Sequence, residues 1–229
     1  MNKIKNAIRT IPNFPIDGIM FRDLTTLYSN AEAMREVIKL TCDYWKNKGL
    51  TSVAGIEARG FITGSIIANQ LSLPFIPIRK KGKLPHNTLS QDYELEYGKA
   101  TIEIHSDAFN SNDNVLIVDD LIATGGTALA SIQLIKKLHA NIAGCTFIID
   151  LPELGGKEKI EDENNNKKII TNNTNKNISN NDEENDNFID EINEINNFNK
   201  KSDKLKNIKN IIINDNNINN NKTKKKIKT

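Results

Sequence analysis

The residues with the clearest chemical purpose follow a short apolar run near the middle of the chain. Four consecutive apolar residues, 115–118, precede Asp119, Asp120 and a loop with paired glycines. Such a run is too short for a helix and is typical of a parallel strand buried on both faces. The glycines allow a tight turn close to an anion, and a helix starting at Thr127 would direct its N–H groups and its dipole at that anion. The predicted phosphate loop consists of Ala123, Thr124, Gly125, Gly126 and Thr127.

The two acids beside this loop narrow the choice of ligand. Carboxylates next to a phosphate repel it unless hydroxyl groups or a cation occupy them. A sugar phosphate meets both demands, because its phosphate group can bind the loop and its hydroxyl groups can occupy the carboxylates. The alternative from the residues alone is an ordinary strand, turn and helix with acids at the strand end.

The whole motif resembles the phosphoribosyl pyrophosphate (PRPP) motif of the type I phosphoribosyltransferases. The resemblance implies that Asp119 and Asp120 face the ribose hydroxyls and that the phosphate loop wraps the 5′-phosphate. It also implies a mainly parallel, twisted α/β sheet flanked by helices, with a small hood and a flexible flap.

Two charged turns follow two further predicted strands. Glu57-Ala58-Arg59-Gly60-Phe61 comes after a predicted buried strand at residues 51–56, at the sheet edge where open α/β folds place ligands. Arg59 could be a solvated charge or a bidentate donor to phosphate oxygens. The turn resembles the pyrophosphate loop of adenine phosphoribosyltransferases, which implies a catalytic role for Arg59.

A basic run, residues 79–83, follows the strand predicted at residues 73–78. Pro74 and Pro77 predict an outer position for that strand. A basic run is usually only solvated, but at a strand end beside two anion-binding turns it would attract a polyphosphate. The family resemblance implies that pyrophosphate is approached by Arg79, Lys80 and Lys83.

The hood and flap are identified mainly through the resemblance. From spacing alone, residues 18–24 are an edge strand with a surface ion pair, whereas the resemblance assigns adenine binding to Phe21 and Arg22. Residues 86–98 form a long loop before the alternating strand at 101–105, and such loops are functional or disordered. Leu95-Glu96-Tyr97-Gly98 matches the family's flap signature, which implies that Glu96 is the acid-base carboxylate and that Tyr97 contacts substrate.

Composition divides the 229 residues into two regions. Residues 1–160 have an ordinary mixture of apolar and polar residues and can bury a core, which predicts the catalytic domain. Residues 161–229 are rich in Asn and Lys and are predicted to be a disordered, low-complexity tail. The lysine cluster at residues 224–226 is interpreted as solvated.

Charge and cysteine content favour a cytoplasmic protein. The net charge of +2 argues against a nucleic-acid or membrane partner, and no apolar segment suggests a signal peptide or a membrane span. The two cysteines, Cys42 and Cys145, are predicted to be reduced, buried and unpaired.

Together the motifs imply transfer of a phosphoribosyl group from PRPP to adenine, giving AMP and pyrophosphate in purine salvage. Mg²⁺ is expected to arrive with PRPP, since the sequence contains no dedicated metal cage, and the family resemblance implies a homodimer. The alternatives are a transferase for another purine base and a regulator that binds PRPP without turnover.

Overall fold

The computed structural model describes residues 3–94 and 98–163. None of the helices in these two ranges is long and apolar enough to cross a membrane. The helices are α1 (Lys3–Ala7), α2 (Thr25–Tyr28), α3 (Ala31–Trp45), α4 (Gly60–Gln70), α5 (Gly126–Lys137) and α6 (Gly156–Glu163), with a 3₁₀ turn at Pro152–Leu154. The strands are β1 (Arg9–Pro12), β2 (Met20–Asp23), β3 (Ser52–Ile56), β4 (Phe75–Lys80), β5 (Thr88–Glu94), β6 (Lys99–His105), β7 (Asn114–Val118), β8 (Leu121–Ile122), β9 (Asn141–Thr146) and β10 (Ile149–Asp150).

Six strands form the main sheet in the order β5-β6-β4-β3-β7-β9. The pairs β4–β3, β3–β7 and β7–β9 are parallel, whereas β6 is antiparallel to both β4 and β5. The predicted mainly parallel α/β sheet is therefore confirmed. The predicted outer position of β4 is wrong, because β6 pairs with Arg79 and Lys80 beyond the last proline of the strand.

Helices cover both faces of this sheet, as the residues of β7 illustrate. Val115 and Ile117 pack in the cluster that contains α5, whereas Leu116 and Val118 pack in the cluster that contains residues of α3 and α4. Successive side chains of a strand point to opposite faces, so a strand covered on both sides is apolar throughout. This explains the uninterrupted apolar run before Asp119.

The N-terminal region differs from the sequence prediction. The sequence pattern predicts a short helix near residues 4–11, but α1 ends at Ala7 and residues 9–12 form β1, which pairs with β2. Ser29 and Glu32 have the spacing of a capping box for α3. The N-cap is instead Asn30, whose side chain accepts a hydrogen bond from Ala33 N at 3.0 Å, and Glu32 pairs with Lys3.

The strands of the predicted flap are anchored on α5. Leu89 and Tyr93 of β5 pack against the core cluster that contains α5. Lys137 at the end of α5 donates from Nζ to the carbonyl oxygen of Ser90 at 2.8 Å. The flap therefore rises from a packed base, and its signature residues Glu96 and Tyr97 lie outside the described residues.

Candidate active site

The three turns predicted to bind ligand meet at one edge of the sheet. β4, β3 and β7 are parallel neighbours, so the turns that follow them emerge at the same edge. The chain leaves β3 toward β4 on one side and later returns to β7 on the other. This is a topological switch point, where open α/β sheets bind ligands.

The phosphate loop lines a cavity of about 200 Å³. Gly125 has a left-handed backbone with φ of 78°, and α5 begins at Gly126, one residue before the predicted start. The first N–H groups of a helix lack partners within the helix and attract anions. Arg59 and Asp119 line the same cavity, together with all five loop residues, Leu121, Ile122, Ala128 and Phe147.

The backbone at the start of α6 supports the phosphate loop from behind. A Cβ atom added at Gly156 would lie 2.7 Å from Gly125 N and closer still to the carbonyl oxygen of Ala123. Conversely, a Cβ atom added at Gly125 would lie 2.7 Å from the carbonyl oxygen of Gly156. Real Cβ atoms do not approach backbone atoms so closely, so these two glycines allow the two segments to touch.

The two acids lie side by side, with Asp120 buried and Asp119 partly buried. Asp119 N donates to the Thr146 carbonyl oxygen at 3.2 Å, and Asp119 Oδ1 accepts from Asp120 N at 2.9 Å. Burial raises the pKa of Asp119 to about 8, and the charge of Asp120 adds to the shift. Burial also raises the pKa of Asp120, although the charge of Arg59 opposes this rise. The pair is thus costly to ionise until hydroxyl groups or a cation approach it.

Arg59 forms the link between the acids and the cavity. Its Nε lies 2.5 Å from Asp120 Oδ2, and about half of its side chain is exposed. Asp120 Oδ2 has no hydrogen-bond partner of good geometry among the described residues, so its contact with Arg59 is an ion pair. Gly60 brings the turn close to the acids, because a Cβ atom there would lie 2.6 Å from the Val118 carbonyl oxygen and 3.1 Å from Asp119 Oδ1.

The basic loop, residues 79–83, is tied to the Arg59 turn through Glu57. Arg79 donates from Nε and Nη2 to the two carboxylate oxygens of Glu57 at 3.2 and 3.3 Å, and from Nη1 to the Lys83 carbonyl oxygen at 3.0 Å. Lys80 N donates to Glu57 Oε2 at 3.0 Å. Burial would raise the pKa of Glu57, but the hydrogen bonds from Arg79 and Lys80 outweigh it and lower that pKa. Arg79, a predicted pyrophosphate ligand, thus already has internal partners.

The remaining predicted site residues lie apart from this cavity or outside the described ranges. Phe21 packs edge-on against Phe14 with ring centroids 5.1 Å apart, and Arg22 Nη1 donates to Thr10 Oγ1 within the β1–β2 ribbon. Neither residue is among the described residues that line the cavity. A second cavity of about 430 Å³ joins Thr124 and Gly126 to Glu94, two residues before Glu96. The adenine and flap assignments therefore stay predictions.

Sequence reasoning missed the residues that hold the site without facing a ligand. The sequence places Glu57 in the Arg59 turn without a role of its own and assigns no role to Gly156. The alternation at 101–105 predicts a half-exposed strand, but Glu103 in that strand is only 6% exposed. The paired glycines at 155–156, beside a charged run, were the sequence feature that could have pointed to a close contact. A glycine in the first turn of a helix is unusual unless another segment packs against it.

Comparisons with known proteins agree with this geometry. Residues 23–188 match the model of the phosphoribosyl transferase domain. A protein from Maricaulis maris named adenine phosphoribosyltransferase is 59% identical over 158 residues, which are 69% of this chain and 90% of the relative. One of the same name from Dinoroseobacter shibae is 56% identical over 159 residues, 69% of this chain and 89% of the relative.

Solved structures give the same result. Adenine phosphoribosyltransferase from Rhodothermus marinus matches with a TM-score of 0.64 and 47% identity, covering 68% of this chain and 89% of that one. The Saccharomyces cerevisiae enzyme, crystallised with an imino-altritol bisphosphate and adenine, matches with a TM-score of 0.66 and 36% identity, covering 69% and 92%. With its phosphate loop, acid pair and Arg59 turn at one sheet edge, this chain belongs to the adenine phosphoribosyltransferase family.

Proposed function

We propose that this protein transfers the phosphoribosyl group of PRPP to adenine, giving AMP and pyrophosphate in purine salvage. The observation that carries the proposal is the shared cavity of Arg59, Asp119 and the phosphate loop. It combines an anion cradle, an acid suited to hydroxyl groups and a cation for a leaving phosphate, and the second acid, Asp120, lies against that cation. The relatives that this chain matches carry the name of this activity over nearly their whole length.

The phosphate loop and the acid pair would hold the part of PRPP that does not leave. The 5′-phosphate binds at the start of α5 and the ribose hydroxyls donate to Asp119 and Asp120. Hydroxyl donors would favour the ionised carboxylates and offset the burial that raises the pKa of Asp119 to about 8. Ribose binding and ionisation of the pair therefore support each other.

Arg59 and the lysines of the basic loop would neutralise the leaving group. The bond between C1′ and the pyrophosphate oxygen breaks while the bond between C1′ and adenine N9 forms, and positive charge develops on the ribose. Preorganised cations beside the departing oxygens lower the barrier of such a step. Arg59 pairs with Asp120 at 2.5 Å in the described arrangement, so a ribose hydroxyl at Asp120 would free the guanidinium for the pyrophosphate.

Mg²⁺ is the proposed cofactor and would arrive with PRPP. Within residues 3–94 and 98–163 no group of three or more His, Cys, Asp or Glu side chains could form a metal cage. The carboxylate oxygens of Asp119 and Asp120 nevertheless suit a hard cation that keeps several waters. When bound, Mg²⁺ supplies positive charge to the pyrophosphate oxygens.

Glu96 is the proposed acid-base group for the adenine ring, taking the N9 proton as N9 attacks. General acid-base groups contribute about 100-fold or more to rate. We expect Glu96→Ala to lower kcat by about two decades while PRPP binding persists, as measured by steady-state kinetics and calorimetry. A near-normal kcat in this variant would remove Glu96 from the mechanism.

The decisive test is conversion of radiolabelled adenine with PRPP and Mg²⁺, run in competition with hypoxanthine, guanine and xanthine. We expect AMP as the product and a preference for adenine. Preference for another base would point to a different purine transferase. PRPP binding without turnover of any base would point to a regulator.

We further propose a homodimer that uses the exposed face of α4. Ile62 and Ile66 lie one turn apart on this helix and are 40% and 37% exposed, next to the Arg59 turn. We expect Ile66→Glu to shift the mass measured by light scattering from dimer to monomer. Leu154→Glu, at an apolar position of similar exposure in the 3₁₀ turn, serves as the matched control. A monomeric parent protein, or a dimer unaffected by Ile66→Glu, would contradict the proposal.

The catalytic domain is proposed to comprise residues 1–160, with residues 161–229 as an appendage. Helix α6 runs through Glu163, and its Ile160 is fully buried in the main core cluster. A chain truncated after Glu163 should therefore keep its melting temperature and activity.

Cys42 and Cys145 are free thiols, and a cytoplasmic location stays a prediction of the sequence.

A further inference from the structure

We propose that Glu103 is a positioning residue for pyrophosphate, a role that rests on the proposed function and deepens it. Glu103 lies in the middle of β6 and is 6% exposed. Its Oε2 accepts a hydrogen bond from Gly82 N at 2.9 Å, and its Oε1 accepts one from Ser90 Oγ at 3.3 Å. One buried carboxylate thus joins the basic loop to the strand that carries the flap.

The register of the strands puts this carboxylate at the centre of a polar row. Ser90 is opposite Glu103 on β5, and Arg79 is opposite Glu103 on β4. Residues directly opposite on paired strands share a face of the sheet, so all three side chains lie on one side. Arg79 continues the row to Glu57 in the Arg59 turn. The row therefore connects the flap base, the basic loop and the pyrophosphate turn.

The backbone of the basic loop is held by the two carboxylates of this row and by one hydrogen bond from Lys81 N to the backbone of β6 at 3.2 Å. Glu57 holds the loop at Lys80 N, and Glu103 holds it at Gly82 N. Gly82 has a φ of 76° and open space around it, so its surroundings do not hold it by steric contact. Without Glu103 the loop would lose the bond that fixes its left-handed residue.

Burying a carboxylate costs more free energy than burying an apolar side chain. Burial of an ionised group is costly unless hydrogen bonds compensate it, and apolar replacements are often neutral or stabilising. Stability alone therefore does not account for Glu103. A role in positioning accounts for Glu103 better. Its hydrogen bond with Gly82 N constrains the loop that carries Lys80, Lys81 and Lys83, whose positive charges repel one another.

Positioning and simple electrostatics predict opposite results, which makes the role testable. Removing a negative charge near a pyrophosphate site should tighten binding if charge alone matters. If geometry matters, Glu103→Ala should weaken binding, whereas Glu103→Gln should preserve it. The amide oxygen of Gln can accept from Gly82 N, and its NH₂ group can donate to Ser90 Oγ.

The experiment compares the full chain with Glu103→Ala and Glu103→Gln by calorimetry with magnesium pyrophosphate and by steady-state kinetics. We expect Glu103→Ala to raise the Kd of pyrophosphate and the KM of PRPP about tenfold, the size of a lost charge-assisted hydrogen bond. Glu103→Gln should stay within about twofold of the parent protein. The KM of adenine should change little in either variant. Asp107→Asn, an exposed acid just beyond β6, is the matched control.

Three results would overturn the role: unchanged or tighter pyrophosphate binding in Glu103→Ala, equal losses in the Ala and Gln variants, or a parallel rise in the KM of adenine. If Glu103→Ala does not fold, Glu103→Leu keeps the buried volume and removes both acceptors, so it should fold and still bind pyrophosphate weakly. Failure of the proposed function is distinguishable. In that case the parent protein would not convert adenine, while its pyrophosphate affinity and the comparison of variants could still be measured.

Discussion

The phosphate loop and the basic loop occupy the same sheet edge but are held in place by different forces. The phosphate loop is fixed by steric contact, because Gly125 and Gly156 bring two backbone segments together with no room for a Cβ atom. The basic loop is fixed by polar bonds, because Glu57 and Glu103 accept from its N–H groups and Arg79 bridges to Lys83. Added atoms should disrupt the first loop, and lost carboxylates should disrupt the second.

The difference matches what each loop is proposed to bind. The 5′-phosphate is present in both PRPP and AMP, so its site can stay unchanged through the reaction. Pyrophosphate must be gripped and then released, which suits a loop held by individual hydrogen bonds of modest strength. In a closely packed loop, movement of one atom displaces its neighbours, whereas a loop held by single hydrogen bonds can move when these bonds break and reform.

The largest effect is expected from adding one methyl group behind the phosphate loop. Gly156→Ala would force Cβ into the backbone of Ala123 and Gly125 and displace the N–H groups that are proposed to bind phosphate. We expect kcat/KM for PRPP to fall about 100-fold, with a loss of about 1–3 kcal/mol in the free energy of unfolding from overpacking. Kinetics and denaturant titration measure these two quantities.

The neighbouring glycine provides the control. Gly155 has a φ of 66° but open space around it, so Gly155→Ala introduces backbone strain without a clash. It should lower the free energy of unfolding by about 1 kcal/mol and leave kcat/KM for PRPP nearly unchanged. Equal kinetic losses at both positions would mean that strain, and not close packing, governs the phosphate loop.

A smaller effect is expected from breaking the polar bonds of the basic loop. Glu57→Ala and Arg79→Ala should each raise the KM of PRPP about tenfold, because both remove the same tether. The double variant should be little worse than either single variant. Additive losses would show that the two residues also act outside their shared pair, Glu57 through Lys80 N, or Arg79 through the Lys83 carbonyl oxygen or through pyrophosphate.

The last prediction concerns stability and its dependence on pH. Folding raises the pKa of Asp119 to about 8, so the folded state without ligand holds this proton more tightly than the unfolded chain does. Stability from Asp119 is therefore present below the pKa of the unfolded chain, near 4, and is lost as pH rises toward about 8. Asp119→Asn removes this loss, so its melting temperature should exceed that of the parent protein by a growing margin between about pH 4 and pH 8.

Thermal denaturation in the absence of ligand measures that margin, and the same variant should bind PRPP poorly. This outcome would mean that Asp119 lowers the stability of the protein without ligand but is needed to bind PRPP. A margin that shrinks as pH rises would contradict the raised pKa of Asp119.

Motifs that combine a buried strand with the turn after it were predictable. The run at 115–118, the acids and the glycines are local in the chain, and each has its own physical signature. The residues that support them were not predictable. Glu103 occupies an ordinary polar position of an alternating strand and gives no local sign of Gly82, because that contact depends on how β6 pairs with β4.

The amino-acid sequence alone therefore determined the alternation of the main strands and helices, the phosphate loop and the family. Strand pairing and packing decided which side chains meet. Only the tertiary structure placed Arg59 against Asp120, Gly156 behind Gly125, and Glu103 beneath the basic loop. The physical reason is that periodicity and turn chemistry are properties of neighbouring residues, whereas these three contacts join segments that the sheet brings together from 21 or more residues apart.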